Sequence, residues 1–290
     1  MLITFLEEEE QIMTIIYDMP AAQYHAAPGI SRSGLNLIAK GPSVYRHVVI
    51  EGNPIKPSAA MRLGSLVHLA VLEPDRWAWA TLSAAALVAD MQAKGKGPAY
   101  KEYKEALAAL EAEAAAAGQE VLTPDEECLI RDIRAAIFSH PLASRMFQGG
   151  QSEVSIAWQD EITGELCRAR LDYIKGNSIV ELKTIGNVSE FERTCDRLRY
   201  YVQDAFYSAG WRALTGVHPS FHFAVVSTTR PIQIRTLYLD PDSKELGRME
   251  YNRDLVTFAQ CRKTQDWSDE ARVERFSVSR WVFNKNNDTI

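Results

Sequence analysis

Apolar residues recur at helical spacing between Ala60 and Glu73, where Leu63, Leu66, Val67, Ala70 and Val71 form one stripe and Pro74 closes the run. The same period governs most of the first half of the chain. Ser31 and Ser33 offer N-caps to a helix from Leu35 onward, which Gly41-Pro42 interrupts; the stretch before it, from Tyr24, reads as loop. Lys94 to Pro98 reads as an exposed loop, and Tyr100 to Ala117 as a run of strong helix formers. Thr123-Pro124-Asp125-Glu126 supplies an N-cap, a proline at the first helical position and first-turn acids for a helix to Ser139.

At Ser152 the period drops to two. Glu153 to Gln159, Glu165 to Ile174 and Ser178 to Thr184 alternate as three strands, with turns at Thr163-Gly164 and Lys175-Gly176-Asn177, and so predict a meander. Ser189 and Glu192 have the spacing of a capping box ahead of one long amphipathic helix, Phe191 to Leu214, that ends near Gly216. Strands Phe221 to Ser227 and Ile232 to Leu239 and a helix from Asp242 to Lys263 complete the pattern. The order predicts an α/β fold, a mixed central sheet flanked by helices behind a helical N-terminal region. The expected partition is an extension over 1–23, a domain over 24–265 (helical part 24–150, sheet core 151–265) and a tail over 266–290. Met13 offers a second start, with the preceding residues as an extension.

The meander concentrates charge. Strict alternation puts Leu166, Arg168, Arg170 and Asp172 on one face and Cys167, Ala169, Leu171 and Tyr173 on the other. Glu181 and Lys183 share a face that Val180 and Leu182 do not, so the acids are expected on an open strand face, away from the core. Two carboxylates on neighbouring strands, with a backbone carbonyl, suit a hard cation such as Mg²⁺. A lysine two residues from one ligand can orient or help deprotonate a water, which is phosphodiester hydrolysis chemistry. Alone, the spacing D-x8-E-x-K equally describes an ion pair on a solvated strand.

Composition narrows the field. With 46% hydrophobic and 24% charged residues the chain is an ordinary globular protein rather than a disordered or fibrous one. A net charge of -6 argues against a uniformly basic surface, although a local groove can still neutralise phosphates. Cys128, Cys167, Cys195 and Cys261 include no CxxC pair, which excludes the usual zinc and iron-sulfur ligand sets. No apolar run approaches the roughly 20 residues that cross a bilayer, and no signal peptide opens the chain. A cytoplasmic location is therefore expected.

Four features occur in sequence: Gly64-Ser65-Leu66-Val67-His68, then Glu153, then Asp172 with Glu181 and Lys183, then Gln203-Asp204-Ala205-Phe206-Tyr207. In this order they resemble the RecB-type branch of the PD-(D/E)xK nucleases, and within it the C-terminal nuclease domain of the exonuclease VIII (RecE) family. Tyr24 to Ser31 and the stretch from Arg62 to Pro74 extend the resemblance, which covers Tyr24 to Leu239. It implies a restriction-endonuclease-like fold. Asp172 and Glu181 would be ligands to Mg²⁺, for which Mn²⁺ can substitute, Lys183 the catalytic lysine, and His68 a further metal or phosphate contact. Glu181 stands where some relatives carry aspartate. Gln203 and Tyr207 match a helix motif that supports the site and touches DNA. The implied activity is 5′ to 3′ digestion of linear duplex DNA from its ends in phage or prophage recombination, beside a single-strand annealing recombinase, by a ring-shaped homo-oligomer.

Other readings stay open. Glu153 is a further metal carboxylate or a surface residue at a strand start. His68 is by default a satisfied core histidine. Asp196, Tyr200, Gln203 and Tyr207 fall on one helical stripe that either faces a nucleic acid or packs tyrosines on the sheet. Arg170 and Arg197, with Arg168, Arg193 and Arg199, are candidate phosphate contacts or simply solvated. Trp267 and Trp281 are expected to pack on the domain or on a neighbouring subunit. A nuclease-fold protein that holds DNA without cutting and a sequence-specific endonuclease are the alternatives to the exonuclease.

Overall fold

The computed structural model describes residues 13–269; Trp281 and the segment before Met13 lie outside them. Thr14–Ile16 (β1), within the stretch assigned by sequence to an extension, is an edge strand of the main sheet. Ala21–Ala26 (α1) is a short helix where a loop was expected, and Ile30–Ser31 (β2) leads into Arg32–Ile38 (α2). Ser31 caps α2 as expected, its hydroxyl accepting from the Gly34 amide at 3.3 Å. After Gly41, Pro42–Tyr45 (α3) continues into one π-helical turn, Arg46–Ile50.

Ala59–Leu72 (α4) carries the apolar stripe and is capped by Ser58. Pro74 does not end the helical region: it starts Pro74–Ala80 (α5), because the first turn of a helix needs no amide donor there. Thr81–Ser83 (β3), Ala85–Ala93 (α6), Lys101–Ala116 (α7) and Glu120–Leu122 (β4) follow, and β3 and β4 form a small parallel sheet that the sequence pattern did not reveal. Pro124–Ser139 (α8) opens with a full capping box between Thr123 and Glu126, and Ala143–Met146 (α9) completes the helical part.

Among the described residues the main sheet has seven strands. Gln151–Gln159 (β5), Leu166–Lys175 (β6) and Ser178–Ile185 (β7) form the expected antiparallel meander. Ser220–Ser227 (β8) lies parallel to β7, and Ile234–Leu237 (β9) closes the far edge in the order β1-β5-β6-β7-β8-β9. β2 pairs with β6 off this path, Ile30 opposite Cys167. Two cores sandwich the sheet. One joins Val154, Ile156, Leu171, Ile179 and Phe223 to α2 and the later helices; the other joins Val180, Leu182 and Val226 to α4 and α8.

The crossover between β7 and β8 corrects the expectation of one long helix. Phe191–Leu198 (α10) and Tyr200–Thr215 (α11) are separate, parted at Arg199, whose backbone is left-handed (φ 56°). Three contacts hold that conformation: Arg199 donates to Glu250 at 2.9 Å, Asp254 at 2.6 Å and Asn36 at 3.2 Å. The capping box at Ser189 is also absent. Asn187 caps the preceding turn by accepting from the Ser189 amide at 3.0 Å, and Glu192 turns outward to Arg235.

Pro241–Thr264 (α12) packs along α11 at backbone distance, since a Cβ on Gly247 would fall 2.2 Å from the Tyr201 carbonyl oxygen. Beyond it Trp267 stacks on Tyr45 (5.2 Å between ring centres) and meets Phe258, so this part of the tail packs on the domain. Because neither helix backbone can yield cheaply, Gly247→Ala is expected to lower stability by about 2 kcal/mol. Chemical denaturation checks this, and a midpoint equal to that of the wild type would contradict the close approach.

Candidate active site

The site forms where β6 and β7 part. The two strands pair from the turn as far as Tyr173 opposite Val180, and the next residues, Asp172 and Glu181, do not continue the ladder. Side chains replace it: Asp172 Oδ2 accepts from the Leu182 amide at 2.8 Å, and Glu181 Oε1 accepts from the Asp172 amide at 3.2 Å. Each acid therefore satisfies a backbone donor that the fork would otherwise leave open.

Alternation slips at the same point. Leu171 lies in the core under α11 but Tyr173 in the core under α4, contrary to the single face expected for both. Opposite this step on β5, Glu153 is left-handed (φ 55°), and such a kink in one strand changes the local twist. Glu153 thereby joins the acids. Ligand atoms of His68, Glu153 and Asp172 all lie within 4.8 Å of one another. His68 reaches them because α4 sits close on β7: a Cβ on Gly64 would stand 3.0 Å from Thr184 Oγ1, and His68 is one turn further on.

The acids are not on an open face, as the strand pattern led us to expect. Glu181 is 1% exposed, and the side chains of Asp172 and Lys183 are 15% and 14% exposed, because α4 and α11 cover the fork. Glu181 Oε2 accepts from Lys183 Nζ at 2.9 Å and from Gln203 Nε2 at 2.5 Å, and Lys183 lies 5.0 Å from the centre of the Tyr200 ring.

Burial sets the charges. It pushes the Asp172 and Glu181 carboxyls well above their usual range, against the pull of Lys183; repulsion from Glu153 adds to it at Asp172, and repulsion from Asp172 adds to it at Glu181. Burial also opposes the charge on Lys183, but Glu181 and Asp172 outweigh it and hold the ammonium above its ordinary value. His68 is pushed down to about 4, first by burial and then by Lys183, so at neutral pH its ring is uncharged and able to ligate. An imidazole and buried carboxylates that repel one another make a donor set that fits a divalent cation.

The expected DNA contacts fare differently. Gln203 is buried and its amide holds Glu181, leaving Oε1 without a partner. Tyr207 is buried too, against Phe206 and Phe221. The break at Arg199 removes Asp196 from their stripe. Arg168 donates to the carbonyls of Tyr24, His25 and Gly29, and Arg170 turns to Glu153, so both guanidiniums are taken up inside the fold. Arg193 and Arg197 are exposed on α10.

Arg32 was not foreseen. Its guanidinium stands 5.5 Å from the centre of the Tyr200 ring and donates to the carbonyls of Leu198 and Arg199 at the helix break, while its Nε is buried without a partner. In sequence it is only the first residue of a capped helix.

A mixed sheet with a divided hairpin bearing acid, acid and lysine, under a helix that brings a histidine, is the PD-(D/E)xK nuclease fold. The chain belongs to the family described as PDDEXK-like domain of unknown function (DUF3799), whose model matches residues 33–275. Its fold resembles the crystal structure of a presumed exonuclease from Eubacterium rectale, with a TM-score of 0.59 and 16% identity over 92% of this chain and 98% of that one. No curated protein matches the sequence. Among the described residues no helix is long and apolar enough to cross a membrane.

A buried acid cluster costs stability when it ionises. The folded Asp172 carboxyl is raised from 3.8 to about 7, so the stability it contributes is complete below pH 3.8 and is lost as pH rises through about 7. In EDTA, Asp172→Asn is therefore expected to stabilise the protein by about 1 kcal/mol or more at pH 8, with the gain shrinking toward pH 5. Thermal melts across that range check the sign. A gain that grew on acidification would refute it.

Proposed function

We propose that this protein is a divalent-metal-dependent deoxyribonuclease that hydrolyses phosphodiester bonds of linear duplex DNA from its ends. The observation that carries the reading is the convergence of Asp172, Glu181, Lys183 and His68, drawn from two strands and a helix, on one fork in the sheet. Asp172, His68 and Glu153, with Glu181 beside them, would hold Mg²⁺ or Mn²⁺. A bound cation would polarise the phosphate and lower the pKa of a water.

The residues themselves divide the remaining work. Glu181, fixed by Lys183 and Gln203, presents its carboxyl group at the fork. Lys183 is held against Glu181 at 2.9 Å, and without a metal its two acidic neighbours favour the ammonium. It orients the attacking water and offsets charge that develops on the phosphate. Action from ends, 5′ to 3′ polarity, a role in phage recombination with an annealing partner and a cyclic homo-oligomer rest on the resemblance to the exonuclease VIII family. A ring also suits a chain of net charge -6, because several subunits closing on one duplex add their local basic patches.

The test is incubation of linear and closed circular duplexes with Mg²⁺ or EDTA. Loss of the linear form alone, abolished by EDTA, is expected; no metal-dependent loss would favour a protein that binds without cutting, and loss of both forms an endonuclease. Lys183→Ala is expected to slow single-turnover cleavage by about 100-fold or more with little change in DNA affinity. Equal losses in binding and turnover would make Lys183 a phosphate contact instead.

A further inference from the structure

Arg170 follows Arg168 and precedes Asp172 on alternate positions of β6, the place for a basic residue lining a DNA groove. The structure uses it otherwise. Its side chain is 12% exposed, and its guanidinium is held on several sides. Nε donates to Glu153 Oε2, while Nη1 donates to the Met19 carbonyl at 2.7 Å and to Ser155 Oγ at 3.4 Å. The Tyr24 ring lies 5.8 Å from it and also carries Arg168, at 4.9 Å. A planar fork fixed at this many points cannot swing out to solvent without abandoning all of them.

The residue it grips needs gripping. Glu153 has the left-handed backbone that a side chain with a Cβ adopts only at a cost, in the middle of a strand and opposite Asp172. The Glu153 side chain is only 18% exposed, and Arg170 is the cation bonded to it. Only one Glu153 oxygen is taken, and among the described residues no hydrogen bond reaches Oε1. The carboxylate still places a ligand atom within 4.8 Å of those of His68 and Asp172.

We infer that Arg170 is a positioning residue for the cation centre: it holds Glu153 on a strained backbone with one oxygen turned to His68 and Asp172, and so sets the affinity for the metal rather than for DNA. This rests on the proposed metal-dependent function. It predicts that the segment around Met19, ahead of α1, is tied to the metal site through the same guanidinium. A lysine at this position would keep the charge but not the fork that spans Glu153 and Met19.

The experiment measures Mn²⁺ binding by calorimetry, without DNA, and duplex binding in EDTA by fluorescence anisotropy. Arg170→Gln is expected to weaken Mn²⁺ binding about tenfold or more, Arg170→Lys to recover part of that, and both to leave DNA affinity within about twofold. In a Glu153→Gln background, Arg170→Gln should cause no further loss. Unchanged Mn²⁺ affinity, with DNA affinity lowered and its salt dependence reduced by about one charge, would overturn the inference and make Arg170 a phosphate contact. A loss that persisted in the Glu153→Gln background would overturn it too, and Arg170→Lys carries the comparison if the glutamine variant does not fold. Asp172→Asn separates the two levels. If it abolishes Mn²⁺ binding while Arg170→Gln leaves the affinity unchanged, the positioning role fails and the metal centre stands; if Asp172→Asn itself leaves Mn²⁺ binding unchanged, the metal centre fails.

Discussion

Two backbone amides, those of Asp172 and Leu182, would lack acceptors where β6 and β7 part, and the carboxylates of Glu181 and Asp172 accept from them. The rest of the site depends on this exchange. A strand pair that stayed zipped would give the acids no room between them, and a fork closed by apolar residues would leave buried donors unpaired, at a cost of about 1–3 kcal/mol each. The parting also frees the β6 edge at Cys167 and Arg168 for β2, which brings α2 and Arg32 beside the later helices. β7 meanwhile remains fully paired with β8, so the fork opens on one side only and its geometry stays rigid.

Charge is balanced locally. Glu181 meets Lys183, Glu153 meets Arg170, and His68 stays neutral within 3.6 Å of Asp172. Asp172 is left as the acid without a cation bonded to it, buried and repelled by Glu153. A positive charge entering such a site would relieve this repulsion, as the proposed metal binding requires. Stability given up in the metal-free protein would then become affinity for a cation.

Two non-glycine residues with left-handed backbones serve this centre. At Glu153 the conformation turns a strand residue into the cluster. At Arg199 it divides the crossover into α10 and α11, so that α11 can run its own course with Gln203 over Glu181 and Tyr200 over Lys183. In both places an arginine supplies the compensating contacts, Arg170 from the neighbouring strand and Arg199 through its own side chain to Glu250 and Asp254. Local strain of this kind persists only where the surrounding contacts overdetermine it.

Most elements were legible in the sequence because their signals are local. The stripe in α4, the caps at Ser31 and Thr123 and the meander each depend on residues close in sequence, and the structure forms them as expected. The failures share a cause. A break at Arg199 is held by Asn36, Glu250 and Asp254, and the single helix expected there reflects helical periodicity that continues across a break it cannot sense. Arg168 and Arg170 read as phosphate contacts because alternation tells which residues share a face but not whether another element covers that face. Glu181 was expected in the open for the same reason, and Arg32 carried no signal at all. The sequence by itself determined which residue types reach the fork and in what order along the chain. Only the tertiary structure decided how deeply they are buried, which acid takes which cation, and that Glu153 belongs with His68 and Asp172, because burial and long-range pairing depend on segments more than a hundred residues apart, such as Met19 and Arg170.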